Sequence, residues 1–345
     1  MELLLKTSPG IEDLSLEECQ SLLGHCSPLD VRWGEGRLYV SSRGDPYKLV
    51  AGARLLTGVS VVLLRERLEC NADECGDVVE RLARRVEWSR FLSWGESFAV
   101  RSERVGEFPL TSPQIASIVG RVVENAVSGV RVHLNSPSKV VVAEVDWGNL
   151  VLGIRLGGEA GLHRRWYRVR EHMASLKPTL ANAMLILSEL RDGQRLLDPL
   201  CGGGTIPIEA LLYHEWLEAT CSDRSRVSAE TAGLNAFAAG VHSRLRIIRS
   251  DVEYIHEKLG GRVDRIVTNP PYGLRVGNPR AALRVLGKLF AQAERILENG
   301  GRLTILFPRK EPPLELAERH GLDVIHERRV KHGDLDLWLL VFGAT

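Results

Sequence analysis

"LLDPLCGGGTIPIEA", residues 196–210, starts as a buried strand and then changes character. Asp198 ends the apolar run, and Pro199 fixes the backbone after it. Gly202, Gly203 and Gly204 let the chain turn tightly and let a ligand approach the backbone closely. Thr205 is placed to cap a helix, with Pro207 in its first turn. A dinucleotide fingerprint needs glycines spaced G-x-G-x-x-G. Gly202 and Gly204 satisfy the first two positions, but Pro207 stands at the last. An acidic strand end also suits a positively charged ligand better than a pyrophosphate. S-adenosylmethionine carries both an ammonium and a sulfonium. A glycine-rich loop alone is equally a plain turn; the whole pattern from Asp198 through Cys201 to Thr205, read as one unit, favours that cofactor.

The surroundings agree. From about Lys177 the strand-like runs "RLLDPL", "ATCSD", "LRIIRSD", "RIVTNPP" and "RLTILFP" alternate with helical stretches, which argues for a parallel sheet with helices on both faces. The tail differs. "DVIHERRV" and "DLDLWLLVF" are joined only by "KHGD", and two strands joined so tightly must be antiparallel. A seven-stranded α/β sheet closing with an antiparallel hairpin is the Rossmann-like arrangement of class I methyltransferases. Ligands in such sheets sit beyond the carboxyl ends of the strands. Asp223 ends the strand after Asp198, 25 residues on. Its carboxylate suits both ribose hydroxyls, and equally suits capping the helix that starts near Val227. Asp251 ends the next strand and suits the adenine amino group, or again a cap.

"TNPPYG", residues 268–273, closes the fourth strand, 71 residues after Asp198 at its Asn269. The two prolines freeze the chain and push the preceding residue into extended geometry. The Asn269 side-chain oxygen and the Pro270 carbonyl become two fixed acceptors. An amino group on a nucleobase is a poor nucleophile because its lone pair is delocalised into the ring. Two acceptors that take both of its N–H bonds free that lone pair toward a methyl donor, by orientation and preorganised electrostatics. Tyr272 suits stacking on an extruded base. The bare tetrapeptide is also a rigid turn; its place on this strand favours amino-group methylation.

The first half is of another kind. "LLLKT", "RLYVSSR" and "VSVVLLRERL" read as strands around the helices "IEDLSLEECQSLLG" and "DPYKLVAGARLL", giving a small α+β part over residues 1–69. Over 70–158, "CGDVVERLARRV" and "TSPQIASIVGRVVENAV" read as helices, the second with Ser112 as N-cap. "SFAVRSERV" reads as a strand and "VVVAEVDWGNLVLGIRL" as a hairpin. This second part resembles a THUMP domain, an RNA-binding module. A linker over 159–176 joins it to the α/β domain over 177–345.

The 345 residues carry a net charge of +1, so bulk charge does not advertise a nucleic-acid partner. Locally, "HRRWYRVR", residues 163–170, interleaves basic and aromatic side chains, which suits phosphate contact and base stacking. A lone run this short is more readily a solvated linker or a salt-bridged face. The six cysteines show no metal-ligand spacing, and no metal is expected. They read as structural thiols, or at most a disulfide. Without a long apolar stretch or a cleavage-site pattern, the expected location is cytoplasmic, with no membrane partner.

These motifs together resemble the THUMP-containing tRNA guanine-6 N2-methyltransferases. The resemblance extends over "LHRRWYRVREHMASLKPTLA", "DPLCGGGTIPIEA", "TNPPYGLRVG" and "RRVKHGDLDLWLLVF". It departs at Trp166, Leu200 and Gly203. It implies S-adenosylmethionine as cofactor, a ferredoxin-like N-terminal part, and a THUMP domain gripping the tRNA 3′ end, with N2-methylguanosine made in the acceptor stem. It places Ala174 and Leu176 over the methionine end of the cofactor. With tRNA as the substrate, Arg164, Arg165 and Arg168 of the basic run are expected to contact its phosphates or to orient the linker between the binding and catalytic halves. The alternatives are a ribosomal RNA guanine-N2 methyltransferase, whose extra domains are absent here, and an RNA-binding protein with an inactive methyltransferase domain. Guanine-10 enzymes usually carry Asp in place of Asn269, and a DNA adenine methyltransferase leaves the first half unexplained.

Overall fold

Leucine- and valine-rich runs in the first half pair into a single sheet. Its strands are β1 (Glu2–Thr7), β2 (Cys26–Arg32), β3 (Arg37–Ser42), β4 (Leu56–Arg67), β5 (Ser97–Arg101), β6 (Arg104–Val105), β7 (Arg131–Val132), β8 (Lys139–Asp146) and β9 (Asn149–Leu156). They run in the order β2-β3-β1-β4-β9-β8-β5-β7, with β6 alongside β8. The structure, a computed structural model, describes residues 1–170, 175–273 and 278–344. It divides into two units. The first holds Met1–Thr7, Ser15–Arg32 and Arg37–Leu162; the second holds Ser8–Leu14, Trp33–Gly36 and His163–Thr345. Among the described residues no helix is long and apolar enough to cross a membrane.

In the first unit, β4 pairs antiparallel with β9, Val59 opposite Leu156, so the α+β strands and the THUMP-like strands form one surface. The helices of the first half of the chain are α1 (Glu12–Leu23), α2 (Tyr47–Gly52), α3 (Cys75–Ala83) and α4 (Ser112–Ala126). Ile115, Val119, Val122 and Val123 give α4 an apolar stripe that packs with Phe98, Val141 and Leu152 of the sheet, as an amphipathic helix on a sheet must. The cap of α4 is Thr111, not Ser112. Thr111 is extended, and its backbone N–H is taken by Gln114 Oε1 at 2.8 Å, a capping box. The β8–β9 hairpin turns at Trp147 and Gly148, both with positive φ, the geometry of a two-residue turn. β2 escapes the sequence pattern because it contains Pro28. It lies at the sheet edge, with its register shifting between Pro28 and Asp30, where a proline costs no ladder bond.

A charged cluster crosses this sheet. Lys6 on β1 pairs with Glu103 at 2.8 Å and with Glu144 on β8. Arg37 on β3 reaches Glu103 at 2.9 Å and Glu144 at 3.3 Å. The Tyr39 hydroxyl donates to Asp146 at 2.7 Å. Glu144 and Asp146 are each 1% exposed, and carboxylates so buried persist only with such partners.

The second sheet comprises β10 (Arg195–Asp198), β11 (Glu218–Asp223), β12 (Leu245–Arg249), β13 (Val263–Thr268), β14 (Leu297–Phe307), β15 (Leu322–His332) and β16 (Leu335–Ala344). Their order is β12-β11-β10-β13-β14-β16-β15. The first five are mutually parallel, and β16 runs antiparallel to both β14 and β15. The helices are α5 (Pro178–Leu187), α6 (Thr205–Tyr213), α7 (Arg226–Ala238), α8 (Ile255–Leu259), α9 (Pro279–Ile296) and α10 (Glu311–Arg319). Leu197, Ile266 and Ile305 pack on one face with residues of α8, α9 and α10. The alternate residues Leu196, Val267 and Leu306 are equally buried. Burial of both alternating sets is what a two-sided parallel sheet requires.

The cysteines correct the expectation from sequence. All six are paired, as Cys19–Cys26, Cys70–Cys75 and Cys201–Cys221. The third pair explains why spacing missed it. β10 and β11 are neighbours in parallel register, Asp198 beside Cys221, so residues 20 apart in sequence meet through sheet pairing.

Candidate active site

The order of the second sheet reverses between β10 and β13. That reversal opens a crevice at the carboxyl ends, where ligands bind in sheets of this kind. Asp198 ends β10 and Thr268 ends β13. Asp198 is 2% exposed, and its Oδ1 accepts from the Thr268 hydroxyl at 2.6 Å and from the Leu200 N–H at 3.2 Å. Burial pushes its carboxyl up to about 7, and the Asp223 charge adds to that; the two hydrogen bonds pull the other way.

The glycine turn is tied to β11 at three points. The Cys201 N–H donates to the Ser222 carbonyl at 2.9 Å, and the Gly202 N–H to Asp223 Oδ2 at 3.0 Å. The Cys201–Cys221 disulfide is the third tie. Gly204 has φ +78, and a Cβ there would come within 3.0 Å of the Ala232 Cβ; the position needs glycine. Gly204, not Thr205, occupies the cap position of α6. Thr205 is the first helical residue, because the left-handed turn at Gly204 delivers the chain directly into the helix. The Thr205 hydroxyl accepts from Arg168 at 3.3 Å. Pro199, Cys201, Gly203 and Thr205 are buried, and Gly202 is partly exposed.

Asp223 is not the cap of α7. Ser225 holds that place, accepting from the Ser228 N–H at 3.3 Å. Asp223 Oδ1 accepts the Ser225 N–H at 2.8 Å while Oδ2 holds Gly202. Each oxygen keeps a second lone pair, enough for two hydroxyls. Asp251 does cap a short helical turn, through the Glu253 N–H at 3.1 Å, and Lys288 stands 3.5 Å away. A cavity of about 400 Å³ opens beside it, lined also by Arg224, Arg249 and Tyr254. Two carboxylates around a glycine turn, one of them driven toward neutrality by burial and to a lesser degree by the other, favour a ligand that brings positive charge.

Asn269 is half-buried and Pro270 buried, directly after β13. The Tyr272 hydroxyl donates to Asn269 Oδ1. The Tyr272 ring meets Phe307, at the end of β14, edge to face with centroids 6.2 Å apart. The structure therefore brings Asp198, the glycine turn, Asp223 and Asn269 to one end of one sheet.

The arginine run divides. Arg164 is exposed. Arg165 is turned inward, its Nε donating to Glu209 at 3.0 Å. Arg168 donates to the Ser175 hydroxyl and to the Leu176 carbonyl, the latter at 2.9 Å. Leu176 is buried; Ala174 lies outside the described residues. Sequence reasoning missed the two residues that organise this segment. Glu209, fully buried, also accepts from the Tyr167 hydroxyl and the Asn182 amide, each at 2.6 Å. Asn235 donates to the carbonyls of Gly203 at 3.0 Å and Arg170 at 3.2 Å, joining the glycine turn to the end of the arginine run. A glutamate inside an otherwise apolar helix, "TIPIEALLY", was the available signal for the first; nothing in sequence marks the second.

Strand order, antiparallel closing hairpin and a glycine turn at the switch point define a class I methyltransferase. Comparison with known proteins agrees. Residues 165–337 match the family UPF0020, described as "RMKL-like, methyltransferase domain", and residues 77–155 match the THUMP domain. The chain is 31% identical to the tRNA (guanine(6)-N2)-methyltransferase of Archaeoglobus fulgidus, over 97% of this chain and 90% of that one. It is 33% identical to the protein of the same name from Thermus thermophilus, over 95% of each. The crystal structure of TrmN from Thermus thermophilus superposes with a TM-score of 0.85 at 29% identity, covering 100% of this chain and 99% of that one. The chain belongs to the THUMP-containing tRNA (guanine(6)-N2)-methyltransferase family.

Proposed function

We propose that this protein transfers a methyl group from S-adenosylmethionine to N2 of guanine 6 in the acceptor stem of tRNA. The observation that carries this reading is the pair Asn269 and Pro270, fixed after β13 beside the strand whose glycine turn is bound to Asp223. Asp223 would hold the ribose hydroxyls, Asp251 the adenine amino group, and residues 199–205 and Leu176 the rest of the cofactor. The carboxylates supply the counter-charge that a cationic cofactor needs. S-adenosylmethionine would supply the methyl from its sulfonium, the S–CH₃ bond breaking as the C–N bond forms, and would leave as the neutral thioether.

Asn269 Oδ1 and the Pro270 carbonyl accept the two N–H bonds of the guanine amino group and hold its lone pair in line. The nitrogen's proton becomes acidic as the new C–N bond forms and leaves to solvent, so no strong base is required. Tyr272 stacks on the base. N2 lies in the minor groove of a paired stem, out of reach of an enclosed pocket, so the base is extruded at a cost of a few kcal/mol.

The division of labour follows the chain. Residues 1–69 and 70–158 form the RNA grip, directed at the tRNA 3′ end, and 159–176 the connection. Residues 177–345 are the catalytic domain, acting in the cytoplasm. Nucleotide-resolved mapping of the methyl group after incubation with total tRNA tests the reading. It requires N2-methylguanosine at position 6; methylation of ribosomal RNA alone would transfer the assignment to that substrate.

A further inference from the structure

Asn269 is an unsymmetrical hook. One end of its amide accepts a hydrogen bond and the other donates, and half a turn about its last torsion exchanges them. With the NH₂ end forward, the side chain would confront the amino group of the base with another donor. The reading of Asn269 as an acceptor, on which this argument rests, therefore needs something to fix which end faces the substrate.

That something is in place. The Tyr272 hydroxyl donates to Asn269 Oδ1. Burial, the largest influence, pushes the phenol pKa well up, so it stays protonated and has a proton to give. A phenol donor meets an amide oxygen favourably. An NH₂ in the same place would have to use the phenol oxygen as acceptor and would displace the phenol's own donation to the amide. The donor is itself fixed. Its ring is set edge to face against Phe307, which is 4% exposed, and Pro270 and Pro271 stiffen the chain between the two partners. An amide oxygen has two lone pairs. The hydroxyl uses one and leaves the other for the base. The hydroxyl projects from the edge of the phenol ring, so its bond does not occupy the ring face used for stacking.

We propose that Tyr272 is a positioning residue: its hydroxyl locks the Asn269 amide with Oδ1 toward the amino group that is methylated. An aspartate at position 269 would not need the lock, because both of its oxygens accept.

The test is a double-mutant cycle read by single-turnover rate and by tRNA affinity. Tyr272→Phe keeps the ring and removes the donor. It should slow methyl transfer about tenfold, the scale of one lost hydrogen bond, with tRNA affinity changed less than about twofold. In the Asn269→Asp background the same substitution should change the rate less than about twofold. Tyr272→4-aminophenylalanine, which restores an N–H donor, should recover most of the parental rate even if the aspartate variants prove too slow to compare. Equal slowing in both backgrounds, no slowing in the parent, or no recovery by the amino analogue would each overturn the proposal. Failure of the underlying acceptor role is a separate result: Asn269→Ala would then keep the parental rate.

Discussion

The last residues of two neighbouring strands share a proton-sensitive contact: the Thr268 hydroxyl donates to Asp198 Oδ1 at 2.6 Å. Burial, the largest influence, raises the Asp198 pKa to about 7. The folded value therefore lies above the unfolded one, near 3.9. The stabilisation from the protonated form is complete below about pH 4 and is lost as pH rises toward 7. A cationic cofactor favours the ionised form, so its binding should show the opposite trend. Cofactor affinity should rise about tenfold from pH 6 to pH 8, the ratio set by one group titrating near 7. Asp198→Asn should flatten the profile in calorimetry. An unchanged slope in that variant would assign the pH dependence elsewhere.

Asp223→Ala should weaken S-adenosylmethionine by roughly 1.5–3 kcal/mol, the scale of hydrogen bonds to a charged acceptor. It also frees the Gly202 and Ser225 amides that Asp223 holds. tRNA affinity should stay nearly constant. Equal cofactor affinity in variant and parent would remove Asp223 from the ribose site.

Arg164 and Arg165, adjacent in sequence, should separate cleanly. Arg164→Ala should lower tRNA affinity and reduce the slope of log affinity against log salt by about one, as for a single phosphate contact. Arg165→Ala should instead act on folding, because it strips the cation from the fully buried Glu209. Breaking a buried pair in this way costs about 3–5 kcal/mol, visible as a large fall in melting temperature. If Arg165→Ala melts like the parent, Glu209 is held by its other donors alone.

Asn269→Ala should slow single-turnover methyl transfer by on the order of a hundredfold or more, as when one preorganised group is removed from an active site. Asn269→Asp should be milder. Cofactor affinity should change little in either variant. Measurement under single-turnover conditions keeps slow product release from masking the step. Transfer at the parental rate by Asn269→Ala would reduce "TNPPYG" to a rigid strand end.

The polar strand ends were legible because each combines a residue type with a place in the alternation. Asp198, Asp223 and Asn269 follow apolar runs and precede glycines, a cap or prolines, so chemistry and position coincide in sequence. What stayed hidden depends on pairing between distant segments. Thr268 reads as an ordinary strand residue until β13 is laid beside β10. Asn235 sits in the last turn of α7, and its two carbonyl partners are 65 and 32 residues away. The inward turn of Arg165 was hidden for the same reason, since the run "HRRWYRVR" carries no sign of the glutamate it meets. The caps moved by one residue, to Thr111 and Gly204, because a cap is defined by backbone angles and only indirectly by side-chain type.

The charged cluster of Lys6, Arg37, Glu103 and Glu144 bears on how such enzymes can be recombined. Its cations lie before residue 70 and its carboxylates after it. A chimera that kept residues 70–158 and drew its first 69 from a foreign relative would inherit two acids without their bases. It would also inherit a bare flank on β9, where β4 had been zipped on. Donor and recipient would have to match in the side chains of this cluster. The tract from Met1 to Leu156 carries both halves of this cluster and both strands of the β4–β9 pair, so a cut at residue 70 severs both.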